Sequence, residues 1–98
     1  MDSQRTAPSR RDVWDRMTTL LGEIAKISPE VIVESATIDG ALRMESVDFV
    51  ELQVALEDEY GIELDPIHVV ELNEFGAIVD YVHSCTSGSE RDTLLGSA

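Results

Sequence analysis

The apolar residues of the chain recur with the spacing of α-helices, and no segment shows the convincing alternation of a strand. In the first apolar segment they fall at i, i+4, i+7, i+8, i+11 and i+14, which is one face of a long helix. These residues are Val13, Met17, Leu20, Leu21, Ile24 and Ile27. Ser28-Pro29 ends the pattern, because proline disfavours a helical conformation in the residue before it. The same two residues suit the start of a short turn. Residues 28–45 then form a long connection, which Ile32, Ile38 and Leu42 are expected to anchor to the core.

Three further helices follow from their end signals. The second spans residues 46–60, and Gly61 suits a left-handed C-cap. Asp65-Pro66 has the N-cap and first-residue chemistry of a short third helix that ends near Leu72. Asn73 is a candidate cap for the fourth. The apolar face of the fourth helix consists of Phe75, Ile78, Val79 and Val82. The predicted fold class is all-α, a small four-helix bundle with a long loop between helices 1 and 2 and a short third helix.

The 98 residues are expected to form one domain. Residues 1–10 are polar and contain a proline, so they are predicted to be a disordered tail. Residues 86–98 have a similar composition and are predicted to be a flexible tail. The domain itself is therefore assigned to residues 11–85.

The second helix carries two apolar stripes instead of one. At about 100° per residue, Val47, Val50 and Val54 lie within about 60° of one another. The larger and more aromatic set lies on the opposite side and is expected to face the core. This set consists of Phe49, Leu52, Leu56 and Tyr60. The three valines are therefore predicted to face outward, either as a docking strip or packed under the long loop.

Acidic residues surround the predicted outward strip. Glu51 and Asp58 lie close to the valine line, and Asp48 and Glu57 flank it. A transient docking helix has this pattern, because charges steer the partner and apolar groups give short-range adhesion. An ordinary solvated helix face has it as well.

The charge of the chain narrows the classes of partner. The formal net charge is −13, and the interval from Met44 to Glu90 contains twelve Asp and Glu residues without any Lys or Arg. Such a field disfavours nucleic acid and anionic membranes, and favours a basic protein patch. The single cysteine, Cys85, rules out an internal disulfide and suits a reducing cytoplasm. No membrane span or secretory signal is expected.

Ser46 stands at the start of the second helix, and two interpretations are open. Serine is a favoured N-cap residue, although the capping box is incomplete because Phe49 stands three positions later. The N-terminus of a helix also favours a phosphate, since free N–H groups and the helix dipole both stabilise negative charge. A phosphodiester on the Ser46 hydroxyl is therefore the alternative to a cap.

Four segments match one family in a common register. Leu42–Asp48, LRMESVD, stands against the family pattern L-G-x-D-S-L-D, and Val50–Leu52 against V-E-L. Ala55–Ile62, ALEDEYGI, stands against A-L-E-E-E-F-G-I, and Phe75–Val82 is similar to the last helix. The family is that of the acyl carrier proteins, which this chain resembles over roughly residues 12–84.

The resemblance implies that Ser46 is esterified by 4′-phosphopantetheine, which a separate phosphopantetheinyl transferase takes from coenzyme A. The thiol of this arm then carries an acyl group as a thioester, so the chain is expected to be a monomeric carrier and not an enzyme. Partner enzymes, such as an acyltransferase, a ketosynthase or an acyl-loading ligase, are expected to dock basic patches on the second helix. The expected docking residues are Glu45, Val47, Asp48, Val50, Glu51, Val54, Glu57 and Asp58.

Three residues depart from the family pattern. Glu45 replaces the usual Asp before the serine, Val47 the usual Leu after it, and Arg43 a common Gly. These changes favour a polyketide or other specialised-metabolite pathway over housekeeping fatty-acid synthesis. Met44-Glu45 favours acyl over peptidyl or aminoacyl cargo, while a small hydroxy acid remains open. A further alternative is an acidic helical adaptor that is never modified, in which Ser46 is only a cap.

Catalytic and metal-binding constellations are not expected. A Ser46–Asp48–His68 triad is disfavoured because residues two apart on a helix point roughly 200° apart. The acids at the end of the second helix do not have the ligand spacing of an EF-hand, so no dedicated metal site is predicted.

Overall fold

The computed structural model describes the backbone of residues 8–97 and the side chains of residues 8–86. Within this part there are four α-helices and no strand. The helices are α1 (Arg10–Ile24), α2 (Ser46–Tyr60), α3 (Pro66–Leu72) and α4 (Phe75–Ser97). A single 3₁₀ turn, Pro29–Val31, lies in the connection between α1 and α2. The predicted all-α bundle, its long first loop and its short third helix are confirmed.

The N-terminus of α1 is closed by a reciprocal capping box. The Ser9 hydroxyl accepts a hydrogen bond from the Asp12 N–H at 3.1 Å, and the Asp12 carboxylate accepts one from the Ser9 N–H at 3.2 Å. This arrangement satisfies two backbone donors that a helix otherwise leaves without partners. The helix therefore begins at Arg10, within the predicted N-terminal tail, of which residues 1–7 lie outside the described residues.

One apolar core joins the helices and the long connection. Ile32 and Leu42 are 5% and 3% exposed, so both anchor the connection as predicted, and Ile38 is partly buried against the core. Trp14 packs edge-on against Phe75 with ring centroids 4.8 Å apart. The other buried apolar residues are Val13, Met17, Leu20, Leu21, Ala36, Leu52, Leu56, Leu64, Val69, Ile78, Val79 and Val82.

Arg10 joins α1 to the connection and to α4. Its guanidinium donates to both carboxylate oxygens of Glu34, at 2.9 and 3.0 Å, and also to Asp80 and to the carbonyl of Gly76. The hydrogen bonds to Glu34 and Asp80 raise the pKa of Arg10 above its ordinary value. A Cβ at Gly76 would collide with the Glu34 carboxylate, so that this exposed side chain would have to move away from Arg10. Arg10 was assigned to the tail from sequence, so this network was missed.

The predicted role of Asn73 as a cap for α4 is wrong. Asn73 is instead the C-cap of α3, with φ of 62°, and α4 begins at Phe75. The Ile38 N–H donates to two oxygens of Asn73. The side-chain oxygen accepts it at 3.1 Å and the backbone carbonyl at 3.0 Å. Asn73 therefore attaches the long connection to the junction between α3 and α4.

The caps of α2 and α3 were predicted correctly, and α4 is longer than expected. Gly61 has φ of 64°, which confirms the left-handed C-cap of α2. Asp65 caps α3, since its side chain accepts a hydrogen bond from the Ile67 N–H at 3.1 Å. The helical backbone of α4 continues through Ser97, across most of the segment predicted to be a flexible tail. The flexibility of that segment stays a prediction, and Ala98 lies outside the described residues.

Candidate functional site

Ser46 is the first residue of α2 and is not its N-cap. Glu45 occupies the N-cap position with extended φ and ψ of −93° and 164°, and its side chain makes no capping hydrogen bond. The first backbone bond of the helix runs from the Phe49 N–H to the Glu45 carbonyl at 3.0 Å. The N–H groups before it therefore lack an intrahelical acceptor. The interpretation of Ser46 as the N-cap of α2 is therefore wrong. Its hydroxyl is exposed and does not cap the helix.

An open groove lies beside Ser46. Its volume is about 140 Å³, and apolar side chains from the long connection, α2 and α3 form most of its wall. The lining residues are Ile38, Met44, Glu45, Ser46, Phe49 and Val70. The Met44 N–H donates to the Ile38 carbonyl at 3.0 Å, which holds the connection along this wall. A group esterified to Ser46 would thus have free N–H donors for its phosphate and an apolar surface for its chain.

Arg43 lies in the loop just before this site, with a left-handed backbone. Its φ is 48°, a conformation that non-glycine residues adopt uncommonly. This explains structurally why glycine suits the position in the family pattern. The Arg43 side chain is exposed and forms no ion pair with the side chains that the structure describes, Glu45 included.

The two stripes of α2 are confirmed. Leu52 and Leu56 are 6% and 2% exposed, whereas Val47, Val50 and Val54 are 61%, 55% and 57% exposed. The valines therefore face solvent and do not pack under the long connection.

Helix α3 also exposes apolar side chains. Ile67 is 68% exposed and Val70 is 55% exposed, while Val69 points into the core. The exposure of these two residues was not predicted from the sequence. The signal was present, because a seven-residue helix with three apolar residues in positions 67–70 cannot bury all of them on one face.

The predicted docking acids differ in their surroundings. Glu45, Glu51 and Asp58 are exposed, and Asp48 is half-buried. Glu57 is half-buried and already has partners. Its carboxylate accepts hydrogen bonds from the Leu64 N–H at 2.8 Å and from the side-chain amide of Gln53 at 3.4 Å. Sequence periodicity placed Glu57 beside the valines but could not reveal these contacts, and its docking role stays a prediction.

Tyr81 supports α3 from α4. Its hydroxyl accepts a hydrogen bond from the Asp65 N–H at 3.0 Å, and its ring packs edge-on against His68 with centroids 4.7 Å apart. Burial raises the pKa of the Tyr81 hydroxyl and of the neighbouring Cys85 thiol. His68 thus packs on Tyr81 at the surface of α3.

The described residues contain neither a metal site nor a membrane span. No group of three or more His, Cys, Asp or Glu side chains is placed to hold a metal ion. No described helix is long and apolar enough to cross a membrane.

Comparisons with known proteins agree with this geometry. Residues 15–82 match the family described as "Phosphopantetheine attachment site", and this range includes Ser46 with all of α2 and α3. The acyl carrier protein of Saccharopolyspora erythraea is 32% identical over 71 residues, which cover 72% of this chain and 75% of that protein. The chain belongs to the acyl carrier protein family.

Other acyl carrier proteins show the same extent of similarity at lower identity. That of Thermosynechococcus vestitus is 24% identical over 76 residues, covering 78% of this chain and 94% of that protein. "Acyl carrier protein 2, mitochondrial" of Arabidopsis thaliana is 27% identical over 75 residues, or 76% of this chain. The aligned region spans only 60% of that mitochondrial protein.

Family membership confirms three predictions from sequence. Acyl carrier proteins are carriers and not enzymes, as expected for this chain. Their prosthetic group is 4′-phosphopantetheine, which is the predicted cofactor. They interact with a phosphopantetheinyl transferase and with biosynthetic enzymes, so these are the partner classes of this carrier.

Proposed function

We propose that Ser46 is the residue esterified by 4′-phosphopantetheine, and that the chain carries acyl intermediates as thioesters on this arm. The observation that carries the proposal is the position of its hydroxyl. It is exposed at the first residue of α2 and takes no part in capping. It also borders a groove of about 140 Å³ that a tethered group can enter.

The proposed docking surface comprises the exposed apolar residues of α2 and α3 and the acids around them. The apolar members are Val47, Val50, Val54, Ile67 and Val70, and the exposed acids are Glu45, Glu51 and Asp58. Asp48 lies at its edge. A small apolar centre with charged surroundings suits brief contacts, because electrostatic attraction speeds encounter more than it strengthens the final complex.

We propose that proteins with basic patches bind this surface. They comprise the transferase and an acyltransferase, a ketosynthase or an acyl-loading ligase, acting in the cytoplasm. A polyketide or other specialised-metabolite pathway is proposed from Glu45, Val47 and Arg43, which replace the residues usual in the family. Peptidyl, aminoacyl or small hydroxy-acid cargo is the alternative within the same chemistry.

The test is intact-protein mass after incubation with coenzyme A and a broad-specificity phosphopantetheinyl transferase. The wild type is expected to gain one phosphopantetheine, and Ser46→Ala is expected to gain none. Ser35→Ala is the matched control, because Ser35 is an exposed serine of the preceding connection. This variant should be loaded like the wild type.

The opposite results would support the unmodified adaptor. A folded, helical wild type that gains no mass with several transferases, including one from the source organism, would contradict the carrier proposal. In that case Ser46→Ala should keep its full affinity for partner proteins.

A further inference from the structure

The interior of the bundle is almost completely filled. A space lined by residues of all four helices and of the α2–α3 loop has a volume of about 10 Å³. Met17, Leu56, Val69 and Ile78 contribute one wall from each helix, and Gln53 is the only polar lining residue. A single water needs roughly 10–15 Å³, so this space holds no more than a methyl-sized group. The groove beside Ser46, at about 140 Å³, is larger.

Phe49 lies between the two spaces. Its half-buried ring lines both the outer groove and the interior space. An acyl chain on the arm would therefore meet the groove first, and a chain passing from the groove into the interior would meet the Phe49 ring. Entry would also require α2 and α3 to move apart, because the packed interior has no spare volume.

A set of hydrogen bonds, here called the Leu64 network, opposes that movement. The Glu57 carboxylate accepts the Leu64 N–H at 2.8 Å, and the Gln53 amide donates to the Leu64 carbonyl at 3.2 Å. Both polar backbone groups of a residue that is only 7% exposed are thus satisfied by α2 side chains. The next residue, Asp65, donates its N–H to the Tyr81 hydroxyl at 3.0 Å. Separating α2 from this loop would leave the backbone N–H and carbonyl of Leu64 without these partners, which is costly for a buried residue, while the Asp65–Tyr81 bond holds the loop to α4.

We propose that Glu57 and Gln53 determine cargo specificity: by keeping Leu64 against α2 they exclude the acyl chain from the core, so that the thioester-linked cargo lies in the outer groove against Ile38, Met44, Phe49 and Val70. This inference rests on the proposed attachment at Ser46. The cargo class that fits is a short acyl group or one bearing oxygen functions. A long alkyl chain would extend beyond the groove into water and lose the gain from apolar burial.

The experiment loads Ser46 of the full chain with phosphopantetheine that bears an octanoyl group through a non-hydrolysable amide. Methyl NMR spectra of the arm-only and octanoyl forms are then compared. In the wild type, shifts are expected at Ile38 and Val70 of the groove, and none at Leu56 and Ile78 of the interior. In Glu57→Ala, shifts should appear at Leu56 and Ile78. Octanoyl loading should also raise the Tm of Glu57→Ala by about 5 °C and leave that of the wild type unchanged.

Two matched variants separate the hydrogen bond from the charge. Glu57→Gln keeps a carbonyl that can accept the Leu64 N–H, and should behave as the wild type. Glu63→Ala removes a neighbouring exposed carboxylate of the same loop, and should also behave as the wild type. Should Glu57→Ala fail to fold, Gln53→Ala tests the other half of the network with the Glu57 bond intact.

The possible outcomes distinguish a failure of this inference from a failure of the proposed attachment at Ser46. Interior shifts in the octanoyl wild type would overturn the placement of cargo in the groove. Interior methyls that stay unshifted in both Glu57→Ala and Gln53→Ala would overturn the role of the Leu64 network. Absence of the arm from Ser46, read from the mass of the same sample, would instead overturn the proposed function.

Discussion

The interface between α1 and α4 and the surface formed by α2 and α3 are stabilised in different ways. At the first, Arg10 binds two carboxylates and a carbonyl, a capping box closes α1, and Trp14 packs on Phe75. At the second, α2 begins without a side-chain cap, and five apolar side chains face solvent. The first interface thus pairs its polar groups and covers its apolar ones, whereas the second surface leaves apolar side chains exposed to solvent. This division is what a carrier needs, because a scaffold must persist while its contacts with enzymes are repeatedly made and broken.

The largest expected contrast lies within α2. Leu56→Ala should lower the free energy of unfolding by about 2–5 kcal/mol, because it removes a buried side chain and leaves a cavity. Val54→Ala should change it by less than about 0.5 kcal/mol, since Val54 faces solvent. Urea unfolding followed by far-UV circular dichroism measures both. Equal losses for the two variants would mean that Val54 belongs to the core and not to the proposed docking surface.

The next contrast compares two glycines. Gly76→Ala should cost about 1–3 kcal/mol, because the new methyl group would displace the Glu34 side chain and disturb its pairing with Arg10. Gly22→Ala should instead stabilise α1 by about 0.5–1 kcal/mol, since its nearest neighbour would be an Ile27 carbonyl at an ordinary 3.8 Å. Thermal unfolding of the two variants should therefore shift in opposite directions. A neutral Gly76→Ala would show that the Arg10 network adds little to the first interface.

A smaller contrast concerns two serines at helix starts. Ser9→Ala should cost about 1 kcal/mol, because the Ser9 hydroxyl caps α1. Ser46→Ala should cost less than about 0.5 kcal/mol, because Ser46 is not the cap of α2. Chemical denaturation of both variants in the unmodified state gives the comparison. A loss at Ser46 as large as that at Ser9 would return Ser46 to a structural role.

The smallest effect is expected at Arg43. Arg43→Gly should stabilise the fold by about 0.5 kcal/mol, since glycine adopts positive φ without steric cost but loses more entropy on folding. Differential scanning calorimetry should show a slightly higher Tm. A lower Tm would indicate that the Arg43 side chain stabilises the loop by a contact that outweighs its backbone strain.

The elements that periodicity defines were predictable, and those that depend on tertiary contacts were not. The bounds of α2, its left-handed cap and its two stripes follow from local spacing and from one glycine, Gly61. The Arg10 network joins residues 24 to 70 positions apart in sequence, and no local pattern reports such a distance. Asn73 was misassigned for the same reason, because the N–H that it binds belongs to Ile38 on another segment.

The same distinction between local pattern and tertiary contact holds for the candidate site. Ser46 and the valine stripe were found from motif and period, whereas the partners of Glu57 and the exposure of Ile67 depend on how α3 packs. A short helix with three apolar residues in four positions does not reveal from sequence which one points inward. The groove beside Ser46 was equally unpredictable, because Val70 reaches it from α3.

The position of Trp14 has a practical consequence for spectroscopy. It is the only tryptophan of the chain, and it lies at the interface of α1 and α4 between the Phe75 ring and the Arg10 guanidinium, whose carbon is 5.8 Å from the indole centroid. Intrinsic fluorescence excited at the red edge of the absorption band therefore reports the environment of this interface. With the arm attached at Ser46, as proposed, that emission should stay unchanged on loading, so that a fluorescent label on α3 would be needed to follow loading and unfolding in one sample.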